Sequence, residues 1–94
     1  MQIVRREEVK KCMKKHADVR KPLQAWVAEV EAAEWGKPQD VRDRYSSVDF
    51  IRDGLAVFDI KGNDYRLEAQ IGFNSEVFSV LRVGMHAEYD TRKL

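Results

Sequence analysis

The sequence predicts an α+β fold of two layers, with an N-terminal strand and two to three helices packed on one face of an antiparallel sheet. Three observations carry this prediction. Apolar residues recur at three-and-four spacing in the first half, at Val9, Cys12, Met13 and His16 and again at Leu23, Trp26, Val27 and Val30. Strict alternation replaces that spacing beyond Ala56, and Gly62-Asn63 divides the alternating run. Helices that precede a block of strands bury their apolar stripes by stacking together on one sheet face.

The elements follow in order. Gln2 to Val4 is a short apolar start that reads as a strand, joining the edge or the centre of the sheet. Arg5 to His16 is helical, and His16 at the end of its apolar face reads as a helix-terminal residue near the negative end of the dipole, not as a catalyst. Ala17 to Lys21 is a polar connection. Pro22 then stands in the first turn of a second helix, and Gly36 after Trp35 marks its end. Trp26 is assigned to the core, whereas the spacing leaves Trp35 open between core and surface. Pro38 to Tyr45 forms a short third helix with Val41 and Tyr45 inward, broken by Ser46-Ser47. Val48 to Ile51 is a brief strand, and Asp53-Gly54 turns the chain into the long hairpin.

That hairpin is the best specified stretch. A two-residue turn at Gly62-Asn63 needs positive φ at both positions. It sets Ile60 opposite Tyr65, Asp59 opposite Arg66 and Phe58 opposite Leu67. One face then carries Ala56, Phe58, Ile60, Tyr65, Leu67 and Ala69; the other carries Val57, Asp59, Lys61, Arg66, Glu68 and Gln70. A second turn around Phe73-Asn74-Ser75 pairs Gly72 with Glu76 and Leu67 with Leu81, which sets Arg66 opposite Arg82. Like charges facing across strands call for an anion between them, so Arg66, Arg82 and Lys61 form a candidate anion site. The bland reading is that Asp59 neutralises Arg66 and Arg82 points into water. Spacing alone leaves both standing. The polar face is expected to be open, and Gly84 is expected to release the chain from the last strand.

Composition bounds the function. The 94 residues make one domain, 1–94, and 44% hydrophobic with 35% charged residues is a soluble globular balance. No apolar run approaches the roughly 18 residues of a membrane helix, and the start lacks the apolar segment of an export signal. The lone Cys12 suits a reducing cytoplasm. One cysteine and two histidines lack the spacing of a zinc ligand set, and no cofactor is implied. A net charge of +1 means that a nucleic-acid partner would be held by a local patch and not by bulk charge. After Val83 come His86, Glu88, Tyr89 and Asp90. Histidine, tyrosine, arginine and lysine on one surface suit metal-free RNA cleavage, which needs a base for the 2′-hydroxyl, an acid for the 5′-oxygen and cations for the phosphate.

The strings KPLQAWVAEVEAAEW, PQDVRDRYSSVDF, VFDIKGNDYRL and VLRVGMHAEYD resemble, in order and spacing, the HigB toxin family within the RelE-like superfamily. The resemblance covers nearly the whole chain. It implies a RelE-like fold and the toxin of a type II toxin–antitoxin system. It also implies an mRNA endoribonuclease acting on translating ribosomes, leaving 2′,3′-cyclic phosphate ends and arresting growth. The implied partners are mRNA, the ribosome and a HigA-type helix-turn-helix antitoxin. Carried over, Arg66, His86, Tyr89 and Lys61 are the candidate catalytic residues. Lys61, Arg66, Arg82 and Asn63 are the candidate RNA contacts. Met85 departs from a common threonine and Asp64 from a common lysine, the second removing positive charge from the hairpin tip. Two other classes remain: a non-catalytic RNA- or protein-binding module of the same fold, and a structural partner that neutralises a DNA-binding protein through its helical layer.

Overall fold

A computed structural model of the chain describes residues 1–85. Strand β1 (Gln2–Val4) leads into helix α1 (Glu7–Lys15), a single 3-10 turn (Ala17–Val19), helix α2 (Arg20–Ala32) and helix α3 (Pro38–Arg44). Strands β2 (Asp49–Arg52), β3 (Leu55–Ile60), β4 (Tyr65–Gly72) and β5 (Val77–Met85) follow. The sheet has five strands in the order β1-β5-β4-β3-β2, antiparallel except for β1, which runs parallel to β5 at the edge. The expected two-layer α+β architecture is what the chain adopts.

Local physics accounts for the helix limits. Arg5 takes a left-handed φ of 59°, which no helix interior accommodates, so α1 begins at Glu7 and not at Arg5. Its last turn carries Lys14 and Lys15, favourable at the negative end of the dipole, and the His16 N–H closes it on the Cys12 carbonyl at 2.8 Å. Helix α2 stops at Ala32, four residues before the glycine expected to end it. Its open carbonyls are met from elsewhere: the Met1 ammonium donates to the carbonyls of Val30 (3.1 Å), Glu31 (3.2 Å) and Ala33 (2.7 Å). A cation there satisfies the orphan acceptors and the dipole together. Pro38 opens α3, as a first-turn proline should.

One core lies between the layers. Val9, Cys12, Leu23, Trp26, Val30 and Val41 from the helices meet Phe58, Ile60, Leu67, Ile71, Phe78 and Val80 from the sheet. Trp26 stands edge-on to Phe58 and Phe78, with ring centroids 5.5 and 5.2 Å away. Trp35 joins this cluster against Tyr45 and Phe78, which settles it as core. Each such aromatic contributes on the order of 2 kcal/mol by burial alone. Among the described residues no helix is long and apolar enough to cross a membrane.

The first hairpin has the expected pairs: Ile60–Tyr65, Asp59–Arg66 and Phe58–Leu67. Its turn differs. Positive φ falls on Lys61 (56°) and Gly62 (68°), not on Gly62 and Asn63, and the Asp64 N–H closes the turn on the Lys61 carbonyl at 3.2 Å. The β2–β3 turn requires its glycine: Gly54 has φ 70°, and a Cβ there would stand 2.6 Å from the Ile71 carbonyl oxygen.

The second hairpin corrects the expected register. Gly72 pairs with Val77, and Phe73 to Glu76 form the loop, with Glu76 at φ 59°. The ladder then shifts once more between Glu68 and Ala69: Ala69 meets Val80 but Glu68 meets Arg82, which leaves Leu81 as the extra residue of a bulge. Arg82 therefore stands opposite Glu68, and Arg66 stands opposite Gly84. A regular ladder forces a choice between an inward Arg82 and an unfavourable arginine pair. The bulge avoids both by absorbing one residue. Gly84 does not release the chain either, since β5 continues to Met85 opposite Tyr65.

Candidate functional site

The alternation that sends Phe58, Leu67 and Val80 into the core turns Asp59, Arg66, Glu68 and Arg82 to the other face of the sheet. These four make two ion pairs. Arg66 Nε lies 3.6 Å from Asp59 Oδ1, the pairing that the hairpin turn predicts. Arg82 donates to Glu68 Oε1 from Nε at 3.1 Å and from Nη2 at 2.9 Å. Because Arg66 faces Gly84 and Arg82 faces Glu68, the two arginines are diagonal neighbours, a spacing that long side chains span. The guanidinium side chains are 29% and 27% exposed, so each is sheltered but reachable. This face is less open than alternation suggests, because Leu55 and Val57 on β3 are buried although they point away from the helical core.

Lys61 does not join the arginines. Strand β3 ends at Ile60, and the left-handed backbone of Lys61 turns its side chain to the rim of the helical layer. There its Nζ lies 2.9 Å from Asp18 Oδ2 and 3.9 Å from Asp64 Oδ2. Asp18 belongs to the 3-10 turn between α1 and α2, and it also accepts from the Tyr65 hydroxyl at 2.9 Å (Oδ1) and 3.1 Å (Oδ2). The Tyr65 ring is 3% exposed and meets the His16 ring edge-on at 5.4 Å.

The electrostatics follow from these bonds. Hydrogen bonds from Lys61 and then Tyr65 hold the Asp18 carboxyl below its ordinary value. The hydrogen bond to Asp18 raises Lys61. Burial first, and the Asp18 carboxylate second, push the Tyr65 hydroxyl up to about 12, so it remains a neutral donor across the physiological range.

Of the residues singled out in the sequence, the structure brings Arg66 and Arg82 together on the outer face and sets Lys61 apart at the rim. Asn63 is exposed at the hairpin tip. His86 and Tyr89 lie outside the described residues. Sequence reasoning missed Asp18 and gave Glu68 no role. Asp18 lies 43 positions from Lys61, and a lone acid in a polar connection carries no spacing signal that would single it out. Among the described residues no group of three or more histidine, cysteine or carboxylate side chains gathers in a way that could hold a metal ion.

Chemically, the outer face offers two planar, forked cations on neighbouring strands, suited to binding the oxygens of an oxyanion such as phosphate. Two comparisons with known proteins bear on this face. The model of the HigB toxin family, described as the RelE-like toxic component of a toxin–antitoxin system, matches residues 19–92. A protein of Escherichia coli O6:H1 (strain CFT073) named mRNA interferase HigB is 26% identical over 92 residues, covering 96% of this chain and 89% of that protein.

Proposed function

Because the chain belongs to the HigB family of RelE-like toxins, we propose that it is an mRNA endoribonuclease that arrests translation until an antitoxin binds it. The observation that carries this reading is the diagonal placement of Arg66 and Arg82 on the outer face of the two central strands. Each guanidinium can offer parallel N–H donors to the scissile phosphate, and they serve the reaction best as negative charge accumulates in the transition state.

The reaction needs no outside reagent. A base removes the ribose 2′-hydroxyl proton, the 2′-oxygen attacks the adjacent phosphorus, and the P–O5′ bond breaks as an acid protonates the departing 5′-oxygen. The products are a 2′,3′-cyclic phosphate and a 5′-hydroxyl. Histidine as a residue type can serve as acid or base near neutrality, and His86 is the proposed acid or base. Tyr89 orients the substrate or protonates the leaving group. Lys61 and Asn63, beside the tip of the first hairpin, meet the RNA on its way in. Strand β5 ends at Met85 opposite Tyr65, at the same end of the sheet as Arg66 and Lys61, which supports one site at that end. Translating ribosomes are the proposed setting, and a HigA-type helix-turn-helix protein is the proposed antitoxin.

One observation favours a second reading, a non-catalytic RNA- or protein-binding module. Arg66 and Arg82 on the outer face and Lys61 at the rim each have a carboxylate within 4 Å, so these cations are internally neutralised.

Message cleavage mapped by primer extension after brief induction separates the two. Wild type is compared with His86→Ala and Arg66→Ala, with a translation-blocked message as control. New 5′ ends within translated messages, lost in both variants and in the blocked message, are expected. Cuts that persist in both variants would overturn the site assignment, and no cuts by folded wild type would leave the binding module.

A further inference from the structure

The geometry points to Asp18 as a specificity-determining residue: an internal stand-in for phosphate that holds the Lys61 ammonium until RNA displaces it. This rests on the RNA-cleaving reading above and adds a residue to it.

The two partners of this ion pair differ in how firmly they are held. Asp18 is fixed by the buried Tyr65, whose hydroxyl reaches both carboxylate oxygens at 2.9 and 3.1 Å. That hydroxyl stays protonated, because burial and the facing carboxylate disfavour its anion. Lys61 stands on an exposed hairpin tip beside Gly62, where a Cβ would meet nothing within 4 Å. Its flexible stem carries three donors, and Asp18 Oδ2 is the one acceptor within hydrogen-bond reach of its ammonium among the described side chains. The lysine is therefore the partner that exchanges and the aspartate the one that waits.

The consequence is selectivity. Surface pairs of this kind are weakly held, and a phosphodiester competes for the ammonium on nearly equal terms. With Asp64 also 3.9 Å away, isolated RNA gains little from Lys61. Only RNA already held by Arg66 and Arg82, at high effective concentration, displaces the carboxylate. Asp18 acts through Lys61 and is a positioning residue, not a catalytic one.

The test is equilibrium binding of a fluorescein-labelled single-stranded oligoribonucleotide across a salt series. The proteins are wild type, Asp18→Asn, Tyr65→Phe, Lys61→Met and the Asp18→Asn/Lys61→Met pair, each checked for an unchanged fold by circular dichroism. Asp18→Asn is isosteric and is expected to bind several-fold more tightly at low salt. The salt slope should steepen by about 0.7, the value for one additional phosphate contact on a single strand. Tyr65→Phe, which loosens the anchor, is expected to shift binding the same way by less, and it decides the matter if Asp18→Asn does not fold. Lys61→Met should abolish the gain in the double variant. Unchanged or weaker binding by both Asp18→Asn and Tyr65→Phe, with Lys61→Met still weakening binding, would overturn the latch and leave the RNA reading intact. So would a gain that survives Lys61→Met, because the carboxylate would then act through the general field. No binding by any of the five proteins would overturn the latch, and the RNA reading would then stand or fall on the message-cleavage mapping described above.

Discussion

Arg82 Nη2 lies 2.9 Å from Glu68 Oε1 directly across the β4–β5 ladder, and this pairing exists because Leu81 is bulged out of that ladder. An arginine that seemed to face another arginine faces a carboxylate. The repulsion expected between Arg66 and Arg82 is thereby replaced by a checkerboard, with Asp59 beside Arg66 and Glu68 beside Arg82. A checkerboard presents guanidinium groups to a ligand while keeping the free protein neutral on that face.

A double-mutant cycle measures the pairing. Glu68→Gln, Arg82→Met and the combined variant, unfolded in urea, are expected to show a coupling energy of about 1 kcal/mol, above that of fully exposed pairs because both side chains are largely sheltered. A coupling indistinguishable from zero would mean that the bulge, and not the ion pair, sets the arrangement.

Lys61 allows the backbone to be separated from the ammonium. Both Lys61→Ala and Lys61→Gly lose the bond to Asp18, but only glycine occupies φ 56° without steric cost. A left-handed alanine costs about 1–2 kcal/mol, part of which glycine's larger unfolded-state entropy offsets. Lys61→Gly should therefore be roughly 1 kcal/mol more stable than Lys61→Ala, measured by urea denaturation. Equal stabilities would show that the turn relaxes and that the left-handed backbone does not aim the lysine.

The Asp18 cluster sets a pH dependence with a definite sign. The groups facing Asp18 are Lys61 and Tyr65, with Asp64 and His16 adjoining them. The folded Asp18 carboxyl lies below its ordinary 3.8, so its contribution is fully present above that pH and is lost as pH falls through the lowered value. The stability difference between wild type and Asp18→Asn should be constant from neutrality down to about pH 4 and shrink below it. Tyr65 works in the opposite direction. Its folded value near 12 exceeds the ordinary 10, so stability holds below pH 10 and declines as pH rises toward 12. Thermal melts of wild type, Asp18→Asn and Tyr65→Phe across pH check both limbs. A wild-type to Asp18→Asn difference that grew in acid would contradict the assigned direction.

Legibility tracked the range of the interactions. The helices were readable because a stripe at three-and-four spacing has one stable use in a small domain, and Leu23, Trp26 and Val30 are buried together as that spacing requires. Their ends were less readable. Helix α2 is finished by the Met1 ammonium, 29 or more positions away, and not by the nearby Gly36. For the site, the Asp59–Arg66 pair could be read from the first hairpin, whereas the partners of Arg82 and Lys61 could not. Nothing local announces that Leu81 will bulge, because the bulge relieves a conflict between the burial of Phe78 and Val80 and that of Val83 three residues on.

By itself, then, the sequence determined the two-layer class, the apolar face of each helix and the register of β3 against β4. Each of these follows from periodicity or from a turn of four residues, where chain connectivity leaves few alternatives. Tertiary structure alone decided that β1 joins β5 in parallel at the edge, that Arg82 takes Glu68, and that Lys61 reaches across to Asp18. These choices depend on which distant surfaces meet when the core closes. Packing a helical layer on a sheet settles them at once, by the burial of Phe78 between Trp26 and Phe58 and by the one hydroxyl of Tyr65 that finds its acceptor in the other layer.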